Sequence, residues 1–145
     1  MADILNLDDQ LCFALHAASR AMTGAYAPLL EALDVTYPQY LVLLVLWEED
    51  GARVSRLGER LHLDSATLTP LLKRLEGRGI LERRRSTADE RVVEIFLTAK
   101  GRRLRTRAAD VGKEMFCKMQ LSIDELGRLR EELKALTKRL QQGAA

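Results

Sequence analysis

The chain has 145 residues, about one domain, and 47% of them are hydrophobic, which is enough to bury a core without a disulfide. Its longest apolar run, "YLVLLVLW", has 8 residues, far fewer than the roughly 20 of a membrane-spanning helix. Because the start is acidic and not basic, we expect no signal peptide and a cytoplasmic protein with no membrane partner, in which a resting disulfide is rare.

The net charge is only +2, but it is unevenly distributed along the chain. Residues 1–52 hold 8 acidic residues and 1 basic residue, residues 53–91 hold 10 basic and 6 acidic residues, and residues 92–145 hold 12 basic and 7 acidic residues. An acidic first third followed by a basic remainder indicates that the later part of the chain meets a polyanion.

Two helices are predicted in the acidic part of the chain. Apolar residues that recur every three or four positions predict a first helix over residues 7–33, and Gly24 and Pro28 are expected to bend or interrupt it. The second helix begins in "TYPQYLVLLVLWEED", where Thr36 and Gln39 can form a capping box and Pro38 fits the first turn. This second helix is apolar on nearly every face, so we expect it to be the buried central one.

Two short helices are predicted next. Ser55 is expected to cap the first of them, in "RLGERLHL". The second lies in "DSATLTPLLKRLEGRG", where either Asp64 or Thr67 can cap it and Gly77 or Gly79 ends it. If Asp64 is the cap, Pro70 lies past the first turn and should bend the helix. If Thr67 is the cap, Pro70 lies in the first turn, where proline is tolerated, and the sequence allows both.

A β-hairpin and two long helices complete the predicted elements. In "VEIFL" the aliphatic residues 93, 95 and 97 alternate with Glu94 and Phe96, a period of two that predicts a strand. Ile80–Arg85 can pair with this strand across a polar tip. Helices follow over residues 99–119 and 123–141, the last with a capping box of Ser122 and Glu125. The last helix carries leucines at spacings of 3, 4, 3 and 4, typical of packing on other helices or on a partner subunit: Leu126, Leu129, Leu133, Leu136 and Leu140.

This order predicts a mainly α fold with a small β-hairpin, a winged helix-turn-helix whose second short helix enters the DNA major groove. Short hydroxyls and long cations suited to phosphates and base edges lie on that helix, and further arginines lie on the hairpin. Asp89 can pair with Arg91 and orient it. The predicted DNA-binding residues are Ser65, Thr67, Thr69, Lys73, Arg74, Arg84, Arg85 and Arg91, with Arg83 beside them on the hairpin. The alternatives are a solvated charged surface and a winged helix that binds only protein.

Three segments carry a resemblance to a known family: "TYPQYLVLLVLWEEDG", "LGERLHLDSATLTPLLKRLEGRG" and "DERVVEIFLT". They closely resemble the MarR family of winged-helix repressors, and with "LCFALHAASRAMTGAYAPLL" the chain is similar to the organic hydroperoxide sensors of the OhrR type over about residues 7–140. The resemblance implies a homodimer on a palindromic operator, with Arg91 at the wing tip. It implies one domain over residues 1–145, with dimerisation helices in 1–35 and 99–145 and the winged helix-turn-helix in 36–98.

The resemblance also implies roles for the two cysteines. Cys12 matches the peroxide-sensing cysteine, and Tyr26 and Tyr37 match tyrosines that reach it from the other subunit and stabilise its thiolate. Cys117 matches the resolving cysteine of the two-cysteine branch, in which oxidation ends in a disulfide between subunits. At one position the chain departs from the pattern, because such sensors more often carry a tyrosine where this chain has His16.

The residues themselves support part of this chemistry. Cys12 lies near the start of the first helix, where the helix dipole favours a thiolate, the form that reacts with peroxide. Each cysteine can instead be a small buried hydrophobe, and Cys12 with His16 makes only half of a metal site. We therefore predict no metal, no cofactor and no enzyme activity.

The function we expect is repression that ends when an organic hydroperoxide, the inducer, oxidises Cys12. The alternatives are a repressor of the same fold released by a small phenolic ligand, with inert cysteines, and a thiol peroxidase.

Overall fold

The computed structural model describes residues 4–143, which form six α-helices and one three-stranded antiparallel sheet. In chain order the elements are α1 (Leu11–Glu31), α2 (Tyr37–Glu48), β1 (Ala52–Arg53), α3 (Val54–Leu61), α4 (Ser65–Gly77), β2 (Leu81–Arg85), β3 (Val93–Leu97), α5 (Ala99–Met119) and α6 (Ile123–Gly143). The predicted mainly α chain, with two short helices followed by a hairpin, is confirmed. None of the helices described is both long and apolar enough to cross a bilayer.

The chain divides into two compact units, the first ending at Val111 and the second beginning at Gly112, within α5. The outer ends of the predicted domain, residues 1–3 and 144–145, lie outside the described residues. In the second unit Met115 is buried, but α6 has no buried residue. Ser122 Oγ accepts a hydrogen bond from the backbone amide of Glu125 at 3.1 Å, which places Ser122 as the predicted cap of α6.

The first predicted helix starts later than its apolar pattern indicated. Residues Leu7–Asp9 form a separate 3-10 turn, and Gln10, with an extended backbone, divides it from α1. The predicted interruption is also wrong, since α1 continues through Gly24 and Pro28. Pro28 removes one backbone hydrogen bond but has a helical φ, and the burial of Leu30 secures the last turn against the core.

Helix α2 forms the centre of the first unit, as predicted. Its capping box is complete: Thr36 Oγ1 accepts from the Gln39 amide at 3.3 Å, and Gln39 Oε1 accepts from the Thr36 amide at 3.0 Å. The remaining core comes from α1, from α3 and α4, from the sheet and from the first part of α5. The fully buried large side chains of this core include Leu30, Val42, Leu43, Leu46, Leu57, Leu68, Leu72, Leu75, Ile80, Leu81 and Ile95.

The sheet has one strand more than the predicted hairpin. Ala52 and Arg53 pair with Ile95 and Glu94 of β3, so the strand order is β1-β3-β2. The chain passes from β1 directly into α3, and the residue before the helix is therefore Arg53, which makes no side-chain capping bond. The prediction that Ser55 caps this helix is wrong, because Ser55 is already its second residue.

The start of α4 settles the conflict over Pro70. Asp64 Oδ1 accepts a hydrogen bond from the Thr67 amide at 2.8 Å, so Asp64 is the cap and Pro70 lies inside the helix. The hydrogen bonds from Thr67 hold the pKa of Asp64 below its ordinary value, which keeps the capping carboxylate charged. The helix ends at Gly77, and Gly79, with φ of +71°, lets the chain turn into the wing, which is the hairpin of β2, β3 and the tip between them.

Candidate nucleic-acid interface and thiol site

Helix α4 is the reading helix, the one predicted to enter the DNA major groove, and its exposed side carries the predicted DNA-binding residues of that helix. Ser65 and Thr67 are exposed in its first turn, and Lys73 and Arg74 are exposed two turns later. Thr69 is half-buried, and its hydroxyl donates a hydrogen bond to the Ser65 carbonyl at 2.7 Å. The donor of Thr69 is therefore used within the helix, and the Thr67 side chain hydrogen-bonds the capping carboxylate of Asp64. All four of the other side chains are nevertheless exposed to solvent.

The wing is fastened to α4 by Arg83. Its backbone amide and its Nε donate to the two carboxylate oxygens of Glu76, each at 3.1 Å, and Nη2 lies 3.0 Å from Oε1. The hydrogen bonds from the Arg83 side chain and then from its backbone hold the pKa of Glu76 below its usual range. Since Glu76 lies in the last turn of α4, this pair sets the wing against the reading helix.

Arg84 and Arg85 have different partners within the wing. The guanidinium of Arg84 pairs with Glu82 and lies over the Phe96 ring, 4.3 Å from its centroid. Arg85 Nη1 donates to the Glu90 carbonyl at 2.9 Å, which closes the tip across the hairpin. Both remain exposed.

Arg91 is an almost fully accessible cation of the wing. Its side chain is 90% exposed and is held by Asp89, as the sequence suggested. Asp89 Oδ1 accepts from Arg91 Nε at 3.2 Å, and the hydrogen bonds from Arg91 lower the pKa of Asp89, with a further contribution from the charge of Arg53. The pair presents a positioned guanidinium at the end of the wing.

Four aromatic rings cluster between α1 and α2. The Tyr26 ring centroid lies 5.1 Å from that of Tyr37 and 5.6 Å from that of Tyr40, and Tyr40 meets Trp47 edge-on at 6.4 Å. Tyr40 is buried, as predicted for a core residue, whereas Tyr26 and Tyr37 are half-buried. Burial raises the pKa of each tyrosine, so the phenols stay protonated and can donate hydrogen bonds at neutral pH.

Cys12 is exposed in the first turn of α1 as a free thiol. Gln10, the residue before the helix, makes no side-chain capping bond, and its amide donates instead to the carbonyls of Ile4 and Asn6. The side chain of the N-cap residue therefore accepts no hydrogen bond from the first turn of α1, in which Cys12 lies. His16 is also exposed and follows one turn later.

Cys117 is exposed and free near the end of α5. It belongs to the second unit and Cys12 to the first, so their pairing stays a prediction. Among residues 4–143 no group of three or more histidine, cysteine, aspartate or glutamate side chains is placed to hold a metal ion, so Cys12 and His16 have no third ligand there.

Sequence reasoning missed the contacts that support the wing and the role of the first strand. Glu76 and Phe96 hold two wing arginines, and Arg53, the last residue of β1, lies beside the wing tip. The position of Arg53 immediately before α3, the first helix of the helix-turn-helix, was the sequence feature that could have indicated its place beside the wing.

Comparisons with known proteins decide the family. A family model described as transcriptional regulator SarA/Rot matches residues 25–107, more than half of the chain. The organic hydroperoxide resistance transcriptional regulator of Bacillus subtilis is 46% identical over 140 residues, covering 97% of this chain and 95% of the relative. The chain belongs to the MarR family of winged-helix transcription regulators. This confirms the resemblance read from the sequence.

Further MarR-type relatives agree in sequence and structure. The transcriptional regulator TtmR of Methylorubrum extorquens is 49% identical over 140 residues, covering 92% of this chain and 72% of the relative. AbfR of Staphylococcus epidermidis, in its reduced form bound to DNA, is 39% identical and covers 92% of this chain and 94% of its own, with a TM-score of 0.76. AbfR has also been solved overoxidized and bound to DNA, with a TM-score of 0.75, and with a disulfide formed, with a TM-score of 0.70.

All of these MarR-type relatives are transcription regulators and none is an enzyme. This supports the expectation that the chain is not an enzyme and speaks against the thiol peroxidase alternative.

Proposed function

We propose that this chain is a redox-sensing repressor that binds a palindromic DNA operator when reduced and is released when an organic hydroperoxide oxidises Cys12. The observation that carries the proposal is the exposed thiol of Cys12 at an uncapped helix start, in a chain that also bears an exposed reading helix and a basic wing. The reduced, DNA-bound AbfR and the B. subtilis hydroperoxide regulator support it. Repression of chromosomal genes implies a cytoplasmic location.

The proposed repressor acts as a homodimer. Helix α6 has no buried residue in the single chain, and it exposes apolar side chains such as Ile123 (77%) and Leu140 (65%). The segment before α1 and its first turn expose Leu7, Leu11 and Phe13. Such unburied apolar surface is typical of an interface. We therefore assign residues 1–35 and 99–145 to dimerisation and residues 36–98 to the winged helix-turn-helix of one domain.

The DNA contacts follow from the exposed cations and hydroxyls. Helix α4 enters the major groove by its first turn, where Ser65 and Thr67 reach phosphates or base edges. The wing lies along the backbone, with Arg91 oriented by Asp89 toward the minor groove. The proposed contact residues are Ser65, Thr67, Thr69, Lys73, Arg74, Arg84, Arg85 and Arg91.

Oxidation begins at the Cys12 sulfur. The thiolate attacks one oxygen of the hydroperoxide, the O–O bond breaks, and the departing alkoxide takes up a proton to leave as an alcohol. Cys12 is thereby oxidised by two electrons to a sulfenic acid. In the dimer, the hydroxyls of the partner subunit's Tyr26 and Tyr37 donate hydrogen bonds that stabilise the thiolate. Their pKa values, raised by burial, keep these donors protonated at neutral pH.

The second step joins the two subunits. The thiolate of Cys117 attacks the sulfur of the sulfenic acid, an S–S bond forms, and the hydroxyl leaves as water after taking up a proton. A disulfide requires the two Cα atoms to come within about 7 Å. Closing that distance moves the helices that carry the cysteines, and with them the spacing of the two reading helices. Because overoxidized AbfR is bound to DNA, we assign release to the disulfide and not to oxidation of Cys12 alone.

A gel-shift assay with reduced protein tests the proposal. A palindromic duplex selected by the protein from a random pool should bind with a steep salt dependence. Cumene hydroperoxide at about one equivalent per subunit should abolish the complex, and dithiothreitol should restore it. Failure of the reduced protein to bind any duplex, or continued binding after oxidation, would contradict the proposal.

A second candidate is release by a small phenolic ligand, with inert cysteines. A cavity of about 750 Å³ between α1 and α2 favours it, lined by Thr23, Pro28, Glu31, Tyr37, Gln39 and Arg78 among others. The same assay separates the two functions, because a phenolic ligand would release DNA equally from a double variant, Cys12→Ser with Cys117→Ser.

A further inference from the structure

A groove of about 430 Å³ lies where the start of α3, the side of α4 and the wing meet. Three arginines line it, one from each part of the surface around the wing: Arg53 at the end of β1, Arg83 on β2 and Arg91 at the tip. The hydroxyl-bearing Ser55 and Thr69 complete its polar lining, and none of its lining residues is acidic. A concave surface with cations, hydroxyls and no carboxylate is suited to an anion.

The three arginines differ in how far their charge is already compensated. Arg83 is paired with Glu76 and Arg91 with Asp89. Arg53 is exposed and forms no ion pair with any residue in the described part of the chain, including Glu94, its register partner on β3. Its charge nevertheless reaches the wing tip, since it contributes to the lowered pKa of Asp89. Arg53 is therefore the arginine of this groove whose charge no ion pair compensates.

The position of the groove indicates which anion reaches it. When α4 occupies a major groove and the wing tip the neighbouring minor groove, one sugar-phosphate strand separates the two grooves. That strand must pass between α4 and the wing. The groove is lined from both sides by these elements, through Thr69 on α4 and Arg91 on the wing.

We infer that this groove binds a phosphate of the DNA backbone, with Arg53 as its principal cation and Ser55 as a hydroxyl donor. The inference rests on the proposed DNA-binding function and adds two residues to its contact surface. Arg53 positions the protein on the duplex and reads no base, since phosphate contacts carry no sequence information. The short strand β1 gains a role from this assignment, because its pairing with β3 holds Arg53 at the edge of the groove.

The salt dependence of DNA binding tests the inference. Fluorescence anisotropy with reduced full-length protein should give, for Arg53→Gln, a slope of log K against log salt concentration smaller than that of the wild type by about 0.9, the value for one phosphate contact. The variant should lose the same factor of affinity on a selected duplex and on a random duplex of equal length. Arg53→Lys, which keeps the charge, should retain the wild-type slope.

Arg56 provides the matched control. It lies three residues further on, is exposed, and is already paired with Glu49 and Glu59 outside the groove. Arg56→Gln should leave the slope unchanged. An unchanged slope in Arg53→Gln, or a loss confined to one base pair of the selected duplex, would overturn the inference while leaving the proposed function in place. If the wild type binds no duplex, both fall together.

Discussion

Asp89 holds Arg91 at the end of the wing through three hydrogen bonds. Asp89 Oδ1 accepts from the backbone amide of Arg91 at 3.0 Å and from its Nε at 3.2 Å, and Oδ2 accepts from Nη2 at 3.3 Å. An ion pair this exposed contributes little to stability. Its effect is to limit the directions in which an otherwise free guanidinium can point.

The wing-tip arginine gives the first prediction. Arg91→Ala should weaken DNA binding by a factor of about ten or more, because a positioned guanidinium in a groove contributes roughly 1–3 kcal/mol. Anisotropy titrations of the reduced protein at one fixed salt concentration measure this. Arg56→Ala, which removes an exposed cation already paired with Glu49 and Glu59, serves as the control and should bind like the wild type.

For Asp89 we predict a change in DNA affinity opposite to the one that simple electrostatics would give. Removing a negative charge near DNA should tighten binding, yet we expect Asp89→Asn to weaken it, because Arg91 loses its orientation. The hydrogen bonds from Arg91 keep the pKa of Asp89 below its ordinary value, so the carboxylate should stay charged and paired with Arg91 at neutral and mildly acidic pH. Tighter binding by Asp89→Asn would show that Asp89 acts only as a repulsive charge.

The resolving cysteine gives the third prediction. After treatment with cumene hydroperoxide, Cys117→Ser should form no covalent dimer on a non-reducing gel and should stay on DNA, because the sulfenic acid has no thiol to condense with. The wild type, treated in parallel, should form the dimer and leave. Full reversible release of Cys117→Ser would remove the disulfide from the mechanism.

The turn of the helix-turn-helix gives a prediction about stability. A Cβ at Gly58 would lie 2.6 Å from the Leu63 carbonyl oxygen, so Gly58→Ala should lower the free energy of unfolding by about 2 kcal/mol. Gly77→Ala is the control, since nothing lies within 4 Å of its Cβ position, and it should be neutral or slightly stabilising. Urea unfolding followed by circular dichroism compares the two, and equal midpoints would contradict this account of the turn.

The sequence predicted those parts of the fold that depend on local signals. The capping box of Thr36 and Gln39 and the alternation around Glu94 each fix an element within a few residues, and both are confirmed. Strand β1 was missed because its two residues are too few to show a period. Without that strand, the start of α3 was placed too late, and Ser55 was wrongly assigned as its cap. At Pro70 the hydrogen bond from Thr67 to Asp64 decides the helix start, although the sequence allowed two.

The candidate site was predictable in its residue types but less so in its contacts. Asp89 and Arg91 are two residues apart, so their pairing could be anticipated. Glu76 and Arg83, or Arg84 and Phe96, meet only because the wing folds back, and the sequence carries no local trace of that. Arg53 acquires its surroundings from three separate elements.

The most direct test of the redox account compares wild-type protein with Cys12→Ser on the same duplex during a titration with cumene hydroperoxide. We predict equal affinity of the two reduced proteins, complete dissociation of the wild type near one equivalent of peroxide per subunit, and no dissociation of Cys12→Ser at the same dose. Release of Cys12→Ser at the dose that releases the wild type would show that Cys12 is not the sensor.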